Sequence, residues 1–285
     1  MKTRSIRFAL HLVVIGVITA LIALCVAYPF LPGVYDGLAV ALSSLAQVFG
    51  VVGLLLVPIG IPWFVYELKS ERKKRRYYFA LASVIAGSVV ALAGFFAAFT
   101  SVGLAFGILT LILWSAVIFP KLRRLRNAEN RNFHPAPLYL MCIPSAVLVL
   151  QVALAEPMTE FSRNRAIAQS ERFIRDIEQY RAANGQYPMS VAAEWQDYKP
   201  GVVGIRQYHY EPSRDAFNLY FEQPTFLLRQ IATREIVMYN PLDEQSMVSH
   251  DSDILQWAPE DLLARQGWYA VHDVPHPHWK YFWFD

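Results

Sequence analysis

Charge is missing from long parts of this 285-residue chain. Five apolar runs, 8–28, 38–66, 78–99, 102–120 and 137–155, contain no Asp, Glu, Lys or Arg in their interiors. Crossing a hydrocarbon core of ~30 Å takes about 20 such residues, so these runs exclude an ordinary soluble protein and predict a five-span helical bundle. Cysteine is nearly absent too. Cys25 and Cys142 both fall inside apolar runs, which excludes a disulfide framework for any domain outside the membrane. Strong catalytic signatures are also lacking. Ser246, Ser249 and Ser252 lie near His250 without forming a recognisable nucleophile arrangement, because a triad is defined by geometry and not by proximity in sequence. Asp251, Asp253, Glu260 and Asp261 lack the alternation and glycine of a calcium loop. Within the spans only His11, Gln47 and Gln151 offer polar groups of any size. Transport and proton relay usually require ionisable groups at mid-membrane, so helix-to-helix hydrogen bonding is the expected role of the two amides.

The charges that are present divide the chain in two. Residues 1–155 hold 14 Lys and Arg against four acids, whereas 156–285 hold 12 against 19, giving +10 and −7. The basic residues of the first part sit in three places: Lys2 to Arg7, Lys69 to Arg76 and Lys121 to Arg131. Positive loops remain cytoplasmic, and the intervening 29–37 and 100–101 segments carry no Lys or Arg. The pattern therefore predicts a cytoplasmic N-terminus, a five-helix transmembrane domain at 1–155 and an exported domain at 156–285. This topology explains the basic loops without nucleic acid and leaves membrane lipids as their expected contacts. The first run is longer than the ~7–15 apolar residues of a signal peptide, so it is expected to persist as a span.

Pro58, Gly60 and Pro62 predict a kink in the second run. Ser83, Gly87 and Ala91, together with Gly103 and Gly107, form small-residue stripes that predict close packing of the third and fourth spans. Trp63, Tyr66, Tyr77, Tyr78, Trp114 and Tyr139 lie near span ends, where amphipathic rings anchor.

From Glu160 the period becomes helical. Ile167, Ser170, Phe173, Ile174, Ile177 and Tyr180 form one face, with Arg165, Glu171, Arg172, Asp176 and Glu178 opposite. Asn184-Gly185 stops this helix and Pro188 bars its return. Alternation then predicts a hairpin, Tyr208-x-Tyr210 against Phe217-x-Leu219-x-Phe221 around Pro212 to Asp215, with further strands at 225–232, 235–239, 268–272 and 279–284 and a short helix from Pro259 to Gln266. The fold class is α+β, a helix packed on an antiparallel sheet.

The run from Phe173 to Pro188, with its Asn184-Gly185-Gln186-Tyr187-Pro188 stop, followed by Tyr208-x-Tyr210 and Phe217-x-Leu219-x-Phe221, resembles type IV pilins and the major pseudopilin of type II secretion. That resemblance covers about 60 residues and implies an apolar helix continuing into an amphipathic one that bears a sheet. Filament entry by the family's route is not implied, because the corresponding apolar helix here is the last of five spans and Glu156 and Glu160 lie at its outer end.

One segment gathers metal-binding residue types. His272, Asp273, His276 and His278 lie within seven residues, and neutral imidazoles suit zinc or copper. The C-terminal run Trp279 to Phe284 is apolar on both faces and predicts a central strand. The expected function is that of a non-enzymatic bacterial inner-membrane protein. Its periplasmic pilin-like domain would meet an envelope protein partner. The alternative is a small transporter or membrane-embedded enzyme that uses the His272–His278 loop.

Overall fold

A computed structural model describes residues 2–69, 76–101, 104–126, 133–191, 198–213, 215–229, 234–245 and 271–284. Among them the helices are α1 (Lys2–Ala27), α2 (Gly37–Gly53), α3 (Val57–Lys69), α4 (Arg76–Ser101), α5 (Leu104–Arg126) and α6 (Ala136–Asn184). The strands β1 (His209–Pro212), β2 (Phe217–Gln223), β3 (Arg234–Tyr239), β4 (His272–Asp273) and β5 (Trp279–Phe284) form one antiparallel sheet in the order β1-β2-β3-β5-β4. The chain divides into two compact units. Unit one is Met1–Ala27 with Ala41–Leu154, and unit two is Tyr28–Val40 with Ala155–Asp285.

Unit one is helical. Among the described residues four stretches are long and apolar enough to cross a membrane: Phe8–Phe30, Gly37–Lys69, Arg76–Phe96 and Ala136–Asn184. In α5 the apolar core is shorter, Gly107–Ala116. The break expected at 58–62 falls one turn earlier, as a 3₁₀ turn at Leu54–Leu56 between α2 and α3. Pro58 has no N–H for the carbonyl four residues before it, so the backbone tightens ahead of the prolines and not at them. The small residues of α4 and α5 pack within the unit. A Cβ on Gly87 would stand 2.4 Å from the Trp114 ring, and one on Gly107 would stand 2.9 Å from the Phe95 ring. Gly103 lies outside the described residues.

Unit two is built on the second half of α6, which runs without interruption for 49 residues. It ends where the Asn-Gly pair predicts: Gly185 takes φ +77°, and its N–H donates to the Arg181 carbonyl at 2.8 Å. Ala166, Ile167, Phe173 and Ile177 of α6 pack against Phe217, Leu219, Phe221, Val237 and Trp279 of the sheet. Full burial of each large side chain contributes about 1.5–3 kcal/mol, so this interface supplies most of the unit's hydrophobic stabilisation. Register enforces the alternation, since Tyr210 pairs with Leu219, Phe221 with Val237 and Val237 with Tyr281. Ile236, Met238 and Phe282 form a second buried cluster on the opposite face.

Some expectations shift. Tyr180 is exposed and does not join the α6 core face. The segment after β2 is not a strand: Phe226 O accepts the Arg229 N–H at 3.0 Å and closes a turn. β5 lies between β3 and β4, as expected of a central strand. The helix expected at Pro259 to Gln266 and the Ser246–Asp261 cluster lie outside the described residues.

Candidate functional site

The most informative local arrangement is a segment the sequence presents as a plain loop. Residues 28–36, between α1 and α2, are stitched into unit two. Gly33 N–H donates to Gly201 O at 3.1 Å, Val203 N–H to Leu31 O at 3.0 Å, Gly204 N–H to Pro29 O at 2.7 Å and Asp36 N–H to Val203 O at 2.9 Å. Pro32 and Val202 form an antiparallel bridge. Phe30, 1% exposed, stacks on Phe226 with ring centroids 4.6 Å apart. The Asp36 carboxylate then accepts the N–H groups of Leu38 and Ala39 and starts α2.

Contact this close depends on glycine. A Cβ on Gly204 would lie 2.7 Å from the Pro29 carbonyl oxygen, a backbone atom that cannot swing aside. Gly204→Ala is therefore expected to destabilise unit two by about 1–3 kcal/mol, the usual cost of overpacking, measured as a lower thermal midpoint of the purified protein. An unchanged midpoint would show that the 28–36 segment is loosely held.

A second arrangement lies in the same unit, where polar side chains of α6 meet the strand ends. Arg163 Nη2 approaches Glu235 Oε1 at 2.5 Å, with Nε at 3.2 Å, and Trp283 Nε1 donates to Glu235 Oε2 at 3.1 Å. Arg163 is 4% exposed and Glu235 0%. The Arg163 guanidinium also lies over the Tyr281 ring, 3.9 Å from its centroid. Gln223 donates to Thr159 O and to Ser162 Oγ. Arg229 Nη1 stands 2.6 Å from Glu156 Oε2, an ion pair lacking hydrogen-bond alignment. Positions 159, 162, 163 and 166 recur on one face of a 3.6-residue helix, so a polar layer precedes the apolar core along α6.

The four candidate metal ligands take separate partners. His272 stacks on Tyr281, its cross-strand neighbour, at 4.8 Å. Asp273 is exposed and pairs across the strands with Lys280. His276 Nε2 is 3.3 Å from Asn164 Oδ1, and His278 Nδ1 is 3.1 Å from Asp243 Oδ2. Among the described residues no three His, Cys, Asp or Glu side chains gather as a metal site. Both His278 and Asp243 have positive φ, which turns His278 away from the strand direction that would align it with its neighbours.

Burial depresses the pKa of His272 below the ordinary ~6.5, and Arg163 and Arg229 act in the same direction while Glu235 and Asp273 oppose them. His209, stacked on Tyr220, is likewise depressed by burial, against Glu222 and Glu211. The folded state thus prefers both rings neutral. Their contribution is complete above the unfolded pKa and declines as pH falls through it, because the unfolded chain binds the proton more readily. Wild-type protein is expected to lose more thermal stability between pH 7 and 5 than His272→Gln; equal losses would contradict the assignment.

In unit one several polar side chains bond across helices. Gln151 Nε2 donates to Gln47 O at 3.1 Å, Gln47 Nε2 to Ser43 Oγ at 3.1 Å and Ser43 Oγ to Val26 O at 3.0 Å, joining α1, α2 and α6. His11 Nδ1 lies 2.9 Å from the Tyr139 hydroxyl. Glu67 and Arg76, ordinary members of a basic loop in the sequence, form a buried pair. Arg76 Nε and Nη2 each reach a different Glu67 oxygen at 2.7 Å. Trp63 Nε1 and the His134 backbone N–H also donate to the carboxylate. Trp63 is therefore 2% exposed and stacked against Phe79 and His134, which differs from the interfacial anchoring expected of it.

No family model, curated protein or solved structure matches the chain.

Proposed function

We propose that this protein crosses a bacterial cytoplasmic membrane five times, with its N-terminus inside, and holds unit two outside as a pilin-like domain that acts by association with an envelope protein. The observation that carries this reading is the bonding of residues 29–36 to 201–204. Two segments in direct backbone contact lie on the same side of a bilayer, so the chain between residues 37 and 155 must cross an even number of times. The α2–α3 pair, α4 and the apolar half of α6 are long and apolar enough for three crossings. An even count takes a fourth, which this reading assigns to α5. Its short apolar core is extended by Leu104 to Phe106 and by the run up to Pro120, giving about the shortest length that crosses upright, with local thinning of the bilayer taking up the remainder. The basic residues at 69–76 and 121–131 then fall together on the cytoplasmic side.

The pilin-like reading draws on α6. One helix serves as the last span and as the core helix of unit two, ending in a left-handed glycine. Tyr187, from the Asn-Gly-x-Tyr-Pro element, packs edge-on against Phe217 at 5.0 Å. Tyr208 and Tyr210 turn inward and donate to Ala166 O and Pro188 O, so the residues that carry the resemblance also close the core. A domain fixed to the membrane by its own core helix is suited to presentation. Crosslinking in native membranes followed by mass spectrometry tests this: recurrent crosslinks from unit two to one envelope protein are expected. Crosslinks to lipid and self alone, with solute movement by purified protein in vesicles, would favour a transporter.

A further inference from the structure

Unit two carries large apolar side chains exposed near the points where its chain leaves for the apolar helices. Val34 is 89% exposed, Tyr35 43% and Leu38 52%, all between α1 and the first turn of α2. Looseness of the loop does not account for this, since Gly33 and Asp36 on either side of Val34 and Tyr35 are both bonded to the 201–203 backbone. Phe161 is 44% exposed, six residues past the start of the unit's share of α6, or ~9 Å along its axis. Leu228 is 39% exposed and sits in the turn between Phe226, which stacks on Phe30, and Arg229, which pairs with Glu156. Contacts within the unit thus connect these residues around the places where residues 28, 40 and 155 hand the chain over to unit one.

We propose that this rim is a lipid-binding face that seats unit two in the headgroup layer of the bilayer its helices cross, with Val34, Tyr35, Leu38, Phe161 and Leu228 entering the acyl boundary. The inference rests on the membrane-spanning reading above. Continuity selects lipid as the occupant, because Leu38 stands at the start of the second apolar stretch and Phe161 lies on α6 six residues beyond the apolar run 137–155. Charge sets the mode of binding. The 156–285 segment carries −7, and an acidic body is repelled by anionic headgroups, so apolar insertion must supply the attraction. Amphipathic surfaces of this kind settle ~5–10 Å into the headgroup and acyl boundary. Met189, 82% exposed, and Leu242, 51% exposed, serve as contrasts: Met189 follows the far end of α6, and Leu242 follows β3 in the turn capped by Asn240.

The test uses full-length protein in phosphatidylcholine vesicles, with Cys25 and Cys142 replaced by alanine and one nitroxide at a time on Val34→Cys, Phe161→Cys, Leu228→Cys, Met189→Cys or Leu242→Cys. Collision with oxygen reports lipid, and collision with an aqueous nickel chelate reports water. The oxygen-to-nickel ratio is expected to be several-fold higher at 34, 161 and 228 than at 189 and 242. Ratios as low as the contrasts would overturn the proposal. Shielding of 34, 161 and 228 from both reagents would also overturn it, by pointing to a protein partner or a second copy. The readout does not depend on which side of the membrane unit two occupies, so its failure is distinct from failure of the topology.

Discussion

Glu235→Ala is expected to destabilise unit two by about 3–5 kcal/mol, the cost of leaving one member of a buried ion pair unpaired. Arg163, 4% exposed, would keep its charge against the Tyr281 ring with no counter-ion, and the Trp283 indole N–H would lose its acceptor. At this size, one kcal/mol moves a thermal midpoint by several degrees, so the expected drop is about 10 °C or more. Glu235→Gln is a harsh substitution as well: three donor groups converge on the carboxylate, and an amide offers one acceptor oxygen while adding two donors. The pair itself is replaceable. Arg163→Met with Glu235→Leu removes both charges together and is expected to recover most of the loss, since apolar replacements of buried pairs are often neutral or better. If the single and double variants melted alike, the pair would not be what orders this end of the sheet.

Glu67→Ala is expected to cost unit one a comparable amount. The donors to the Glu67 carboxylate include two from Arg76, one from Trp63 and one from the His134 backbone. It therefore ties the end of α3 to the start of α4 and to the segment entering α6. Without it the buried Arg76 guanidinium loses the carboxylate it meets at both oxygens, and the Phe79–Trp63–His134 stack loses its polar anchor. The expected readouts are early thermal aggregation in detergent and faster cleavage by protease at 69–76 in inside-out vesicles. Arg76→Met with Glu67→Met is expected to restore resistance. An equally resistant Glu67→Ala would reduce the cluster to incidental packing.

These two pairs mark where sequence reading stops. Four of the five expected apolar runs recur as long apolar helices among the described residues, legible because apolar length is a local and additive property. The α6 terminus was legible because Asn184-Gly185 states a backbone conformation directly. The Phe217-Leu219-Phe221 alternation also gave its face correctly. Arg163 and Glu235 are 72 residues apart, and nothing in a single sequence couples them. Glu67 and Arg76 were hidden by company, since every neighbour in 69–76 suits a solvated basic loop. The 28–36 segment has no period and a single charge, Asp36, and its bonds reach across more than half of the chain. In the His272–His278 segment, where residues lie close in sequence, a strand, a turn and a left-handed His278 give the rings different partners.

The claim on which topology and function both rest is that residues 28–36 and unit two share one side of the membrane. Pro32 and Val202 are directly opposed across a bridge flanked by the hydrogen bonds of Leu31 with Val203 and of Gly33 with Gly201, a non-hydrogen-bonded pair whose Cα spacing of ~4.5 Å suits a disulfide. With Cys25 and Cys142 replaced by alanine, Pro32→Cys/Val202→Cys made in cells and quenched without added oxidant should form an intrachain disulfide, seen on a non-reducing gel and as thiols closed to maleimide. Two free thiols, one labelled by an impermeant maleimide in intact cells and the other only after permeabilisation, would place the segments on opposite sides and contradict the five-crossing topology.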